Sequence, residues 1–140
     1  MTRVTILIAA AVMVGAAGAQ QRSPEPEPAP EAAQSSIQYA SVQEALAALR
    51  VKPGVEILQR DGWTLAQDLE SPKSMVLWSF APPLHPAYPS VVRRRVYEQD
   101  GSVRVEMQVL CEAAKPACDD LAREFQELTD RLSQGFNDAR

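Results

Sequence analysis

Residues 90 to 112 read SVVRRRVYEQ, then Asp100-Gly101, then SVRVEMQVLCE, and they leave the chain little freedom of fold. Asp-Gly is suited to a two-residue hairpin turn with positive φ at both positions, and valines recur at every second position beyond it. A hairpin closed there sets Val96 opposite Val105 and Val92 opposite Val109 on one face. It sets Arg95 opposite Glu106 and Tyr97 opposite Arg104 on the other. Val103, Val105, Met107 and Val109 mark the first face as the buried one. Arg94 falls on that face, between Val92 and Val96 and opposite Met107.

The same reasoning extends upstream. Asp61-Gly62 separates VEILQ from WTLAQDL as a second hairpin, and SMVLWSF supplies a further strand. Prolines between Pro82 and Pro89 forbid ladder pairing and force a bent, extended connection. Ahead of the strands, Ser41 and Glu44 have capping-box spacing, and Val42, Ala45, Leu46 and Leu49 share a helical face. A short helix therefore runs to about Arg50, where Pro53 and Gly54 stop it. A second helix starts near Pro116, with Asp119 and Asp120 toward its positive end and an apolar stripe of Leu121, Phe125, Leu128 and Leu132. The order helix, about five strands, helix predicts an α+β domain over residues 37–136, its antiparallel sheet carrying both helices on one side. Residues 137–140 are expected to be a frayed tail.

The flanking segments speak of compartment. Residues 1–19 have a charged start at Arg3, an apolar run from Val4 to Val14 and small residues at Ala17 and Ala19, the pattern of a signal peptide cleaved before Gln20. The apolar run is shorter than the roughly 20 residues a spanning helix needs, so no membrane span is expected after cleavage. Residues 20–36, rich in Pro and Glu, cannot bury apolar surface and read as a disordered linker. The chain is expected to be exported, to the periplasm of a Gram-negative cell or beyond. Its net charge of −4 gives no reason to expect a nucleic-acid partner. Cys111 and Cys118, the only cysteines, are expected to form a disulfide joining the last strand to the last helix. A catalytic dithiol would favour C-x-x-C spacing, and a metal pair would need further ligands from a chain with one His.

Three stretches carry a resemblance: DGW, LWSFAPPLHPAYPSVVRR and VLCEAAKPACDDL. With Gly62-Trp63, Trp78-Ser79-Phe80, His85-Pro86-Ala87, Pro89 and both cysteines as matching positions, the chain resembles a family of short, signal-bearing proteobacterial proteins of unknown function. The resemblance covers most of the chain after the Pro/Glu segment. It implies a Gram-negative envelope protein and brings no catalytic residues with it.

Chemistry has few footholds. The sequence contains no G-x-S-x-G elbow, no phosphate-cradling glycine loop and no H-E-x-x-H. Ser79 or Ser90 would need His85 as base, and Asp68, Glu70, Asp119 and Asp120 sit where turns and helix starts place acids. We therefore expect a non-enzymatic interaction or accessory protein, with no cofactor and no metal, that binds another envelope protein. Leu84, His85 and Tyr88, on a loop stiffened by prolines, with the flanking Arg93 and Arg94, are the candidate binding residues. The alternative is a small-ligand-binding protein or hydrolase with a cleft where Arg94 meets His85. As a structural residue, Arg94 would instead lay its stem over Met107 and reach water, Glu112 or Asp119. Arg93 and Arg95 are expected on the solvent face, Arg95 paired with Glu106. A homodimer through the exposed half of the sheet is a further expectation, from apolar residues on both faces of strands 55 to 69.

Overall fold

The structure, a computed structural model, describes residues 37–139. The signal peptide and Pro/Glu linker expected over residues 1–36 lie outside the described residues. The elements are α1 (Val42–Val51), β1 (Val55–Arg60), β2 (Trp63–Ser71), β3 (Ser74–Phe80), β4 (Ser90–Gln99), β5 (Ser102–Cys111) and α2 (Lys115–Asp138). The strands form one antiparallel sheet in sequence order, β1-β2-β3-β4-β5. The expected α+β class and order of elements hold.

Local chemistry accounts for the boundaries. Ser41 Oγ accepts the Glu44 N–H at 3.1 Å and starts α1, while the Glu44 carboxylate reaches back to the Ala40 N–H at 3.0 Å, one residue beyond the usual capping-box partner. Both Asp-Gly pairs take the left-handed region, with φ of 52° and 83° at Asp61 and Gly62 and 51° and 74° at Asp100 and Gly101. Positive φ at both positions matches the right-handed twist of the strands they join. The register between β4 and β5 follows: Val92 faces Val109, Arg94 faces Met107, Val96 faces Val105 and Tyr97 faces Arg104. The Cys111–Cys118 disulfide, with Cα atoms 5.8 Å apart, joins the end of β5 to the first turn of α2. Asp119 and Asp120 lie past that first turn and bond Lys115 and Arg123 on the helix surface instead of serving its positive end. α2 also continues through Asn137, inside the stretch 137–140 where the sequence predicts a frayed tail. The Asn137 carboxamide bonds the Val103 backbone and holds the last turn against β5.

The helices take opposite faces of the sheet, not the shared side expected. Residues paired across an antiparallel ladder share a face, so Ala66, Trp78, Arg93 and Gln108 point one way and Leu65, Ser79, Val92 and Val109 the other. On the first face Val42, Ala45 and Leu49 of α1 pack with Ala66, Val76, Trp78, Phe80 and Val91. On the second, Leu121 and Phe125 of α2 pack with Val92, Met107, Val109, Trp63 and Ala87. The physical reason lies in β4, where Ser90, Val91 and Val92 are all at most 1% exposed. Consecutive buried residues require cover on both sides of a strand. Both faces of β4 meet at the loop that precedes it.

Candidate functional site

The Pro-rich connection between β3 and β4 is pinned at both ends and in the middle. Ala81 N–H donates to Ser90 C=O at 3.0 Å and Glu112 N–H to Pro89 C=O at 2.9 Å, fixing the ends. Between them His85 N–H donates to Pro82 C=O and Tyr88 N–H to His85 C=O, both at 2.9 Å. The imidazole closes the turn, its Nδ1 accepting the Ala87 N–H at 3.1 Å. Ala87 is fully buried between the loop and Val92 and Leu121. The Tyr88-Pro89 peptide bond is cis.

This rigid turn sends its side chains in different directions. Leu84 is 98% exposed and Tyr88 48% exposed. His85 turns inward and meets the Trp63 ring edge-on, centroids 5.1 Å apart. Trp63 in turn contacts Phe125 of α2 at 5.6 Å, and the Arg94 guanidinium lies 5.3 Å from the Phe125 centroid. His85 and Arg94 thus flank one pair of aromatic rings. No hydrogen bond joins Ser79 or Ser90 to His85 among the described residues, and the Ser90 hydroxyl is buried without a partner there.

Arg94 is buried. It is 9% exposed, its Nε has no hydrogen-bond partner among the described residues, and burial holds its pKa below the usual guanidinium value. The carboxylates suggested as its partners are engaged elsewhere: Glu112 accepts the Val42 N–H at 3.2 Å, and Asp119 accepts from Lys115 at 2.8 Å. The cation instead sits on an aromatic face, which attracts it through the ring quadrupole. Arg94→Met should therefore leave stability unchanged or raise it by up to about 1 kcal/mol, because it removes an incompletely paired buried charge and keeps the stem's packing. Arg94→Ala should lose stability, and urea unfolding of the two variants separates packing from charge.

Arg93 and Arg95 belong to the other face, the one on which α1 packs. Arg93 lies 5.6 Å from the Trp78 ring centroid and donates from Nη1 to Gln108 Oε1 at 3.2 Å. Arg95 stands opposite Glu106 as expected, yet it pairs with Glu70, Nε to Oε2 at 2.9 Å, while Glu106 accepts the Tyr97 hydroxyl at 2.8 Å. A register shift between Leu69 and Ser71 displaces β2 at Glu70. The Ser74 hydroxyl and the Arg95 guanidinium both bond the Glu70 carboxyl and hold its pKa below the ordinary carboxylate value. The five candidate binding residues do not share one face: Leu84 and Tyr88 are presented outward, His85 and Arg94 lie on the α2 side, and Arg93 lies on the opposite face beside Trp78 and Gln108.

Concavities among the described residues escaped the sequence. One of about 670 Å³ lies between α1 and the loop, with Val42, Leu46, Arg50, Pro83, Tyr88 and Glu112 in its wall. A smaller one of about 310 Å³ is lined by Tyr39, Lys52, Glu70, Trp78, Arg93 and Gln108. Beside the second, Lys52 bonds the buried Asp68 carboxylate, which raises the Lys52 pKa. The first could have been anticipated only in outline, since the Ser41 cap and the prolines mark two rigid walls without showing that they face one another. Among the described residues, no helix is long and apolar enough to cross a membrane, and no group of three or more His, Cys, Asp and Glu could hold a metal ion. Compared with protein-family models, curated proteins and solved structures, the chain matches none.

Proposed function

We propose that this is an exported, non-enzymatic domain that binds another protein of the cell envelope through the loop at residues 82–89. The observation that carries the reading is Leu84, 98% exposed on a turn held by backbone bonds on either side of it. An isolated exposed leucine means little. Here the loop is already ordered, so a partner that covers Leu84, Pro83 and Tyr88 would gain apolar burial without the usual cost of immobilising a loop. Export is supported by the leader-like residues 1–19 and by a disulfide between the two cysteines, which persists in oxidising compartments.

The 670 Å³ concavity favours a second reading, a small-ligand site. Its volume lies within the range of such sites, and its wall offers a cation at Arg50, an anion at Glu112 and apolar surface between them. It lies on the Tyr88 side of the loop, away from the Arg94 and Phe125 contact.

Partner capture from envelope extract distinguishes the two readings, with the wild-type chain and a Leu84→Asp, Tyr88→Ala variant as baits. Both residues are exposed, so the variant should fold as the wild type does. We expect one protein to be held by the wild type and lost from the variant, and the purified pair to bind with at least a tenfold difference in Kd, about 1.4 kcal/mol. Identical recoveries from both baits would remove the loop from consideration. A shift in melting temperature with a small envelope metabolite, abolished by Arg50→Ala, would then favour the cavity.

A further inference from the structure

A sheet ordered β1 to β5 has two edge strands, and the protein treats them differently. The Asp100-Gly101 turn closes on the Gln99–Ser102 pair, so in a two-residue hairpin Val103 directs its N–H and C=O outward. Asn137 of α2 takes both groups: its Oδ1 accepts the Val103 N–H at 3.1 Å and its Nδ2 donates to the Val103 C=O at 3.3 Å. A side-chain amide stands where a further strand would pair, and that end of the β5 edge is blunted.

The edge of β1 has no such cover. By the same parity, the Asp61-Gly62 turn closes on the Arg60–Trp63 pair, so Arg60, Leu58 and Glu56 bond β2 while Ile57 and Gln59 turn their backbone groups outward. Among the described residues nothing bonds those outward groups. Glu56 and Arg60 likewise take part in no ion pair among the described residues. All of β1 except Val55 and Ile57 is exposed.

We propose that β1 pairs antiparallel with β1 of a second copy of this chain, about a two-fold axis at Leu58, making one continuous sheet from two. The charges choose the register. With Leu58 opposite the partner's Leu58, Glu56 lies opposite the partner's Arg60, and symmetry repeats the attraction. Sliding the strands by two residues sets Ile57 or Gln59 opposite itself and loses both Glu56–Arg60 pairs, and sliding them by four sets Glu56 or Arg60 against itself. Like charges directly opposite are destabilising. In the favoured register Ile57 and the partner's Gln59 exchange backbone hydrogen bonds, again twice by symmetry. Leu58 then falls at a non-hydrogen-bonded position, where facing side chains approach most closely. Leu58 is 37% exposed and lies across from Leu65 on the α2 face of the sheet. α2 packs chiefly on β4 and β5, and the apolar cluster beneath it includes neither leucine. Pairing extends their apolar row across the axis. The sequence suggested a homodimer on a sheet face; here the contact is at a sheet edge and does not depend on the loop at residues 82–89.

Sedimentation equilibrium of the purified, disulfide-intact chain should show a concentration-dependent monomer and dimer. Gln59→Pro removes an outward N–H that the β1–β2 ladder does not use, and it should leave a folded monomer. Glu56→Arg or Arg60→Glu alone should weaken the dimer by about tenfold, from two reversed cross-strand pairs. The combined Glu56→Arg, Arg60→Glu chain should recover wild-type association, and Leu58→Cys should oxidise to a cross-linked dimer. A monomer persisting to millimolar concentration would overturn the proposal. So would a dimer whose affinity ignores the single reversals, or is not recovered by the double one, since that dimer uses another surface.

Discussion

Replacing Leu121 with alanine should lower the free energy of unfolding by about 3 to 4 kcal/mol, the middle of the range for truncating a fully buried leucine. Leu121 is 1% exposed and packs in a cluster with Val92 and the fully buried Ala87, against Trp63, Met107, Val109 and Phe125. The cluster cannot easily collapse into the space left behind. Ala87 is fixed by a loop pinned at both ends, Val92 belongs to an interior strand, and the Trp63 and Phe125 rings are in contact. Leu132, on the same apolar stripe, is 37% exposed. Leu132→Ala should therefore cost less than about 1 kcal/mol. Urea unfolding reads both as shifts of midpoint at constant slope. Equal losses at the two positions would mean that α2 is not seated on the sheet as described.

Removing the disulfide, as Cys111→Ala with Cys118→Ala, should cost about 2.5 kcal/mol in the chain-entropy account of a loop with the observed separation of 7 residues. The bond has a local task besides. The residue before α2 is Ala114, which makes no side-chain capping bond, and the first turn of the helix carries no acidic residue. A helix start that lacks a cap and a favourable charge is weak in isolation. The covalent link to β5 holds it in place, and Cys111 itself packs against the Ala87 cluster. Unfolding the wild type in reductant should reproduce the midpoint of the double-alanine chain. A loss below about 0.5 kcal/mol in both would show that packing alone holds the first turn of α2, without the entropic contribution expected of the link.

The parts of this fold that sequence could reveal were those governed by neighbours along the chain. The Asp-Gly turns required φ > 0 at two adjacent positions, and period-two alternation then determined every pair from Val92–Val109 to Tyr97–Arg104. Ser41 capped α1 for the same local reason. What sequence did not reveal depended on groups far apart in it. The apolar stripe of a helix says that it packs, not on which face of a sheet. The signal for two covered faces was present in Ser90-Val91-Val92, three residues without alternation, but it marks β4 alone. Arg94 falls on an apolar face as its position in the strand requires, yet its contact is with Phe125, 31 residues further on, and depends on where α2 packs. Trp63, which the sequence marks as the start of a strand and as a position of the resemblance, is the ring that links His85 to α2. Arg95 pairs not with the residue directly opposite it but with Glu70, which lies two strands away beside the register shift in β2.

The strand order has a kinetic consequence. Each of the four ladders joins strands that are also neighbours in sequence. No strand must wait for a distant segment to arrive before its backbone can be paired, so the entropy lost in closing each loop stays small. For a sheet protein this is a low contact order, which places its folding rate toward the fast end of antiparallel domains. The chain can zip from hairpin to hairpin, and the edges of the three interior strands, prone to aggregate while unpaired during folding, are exposed only briefly.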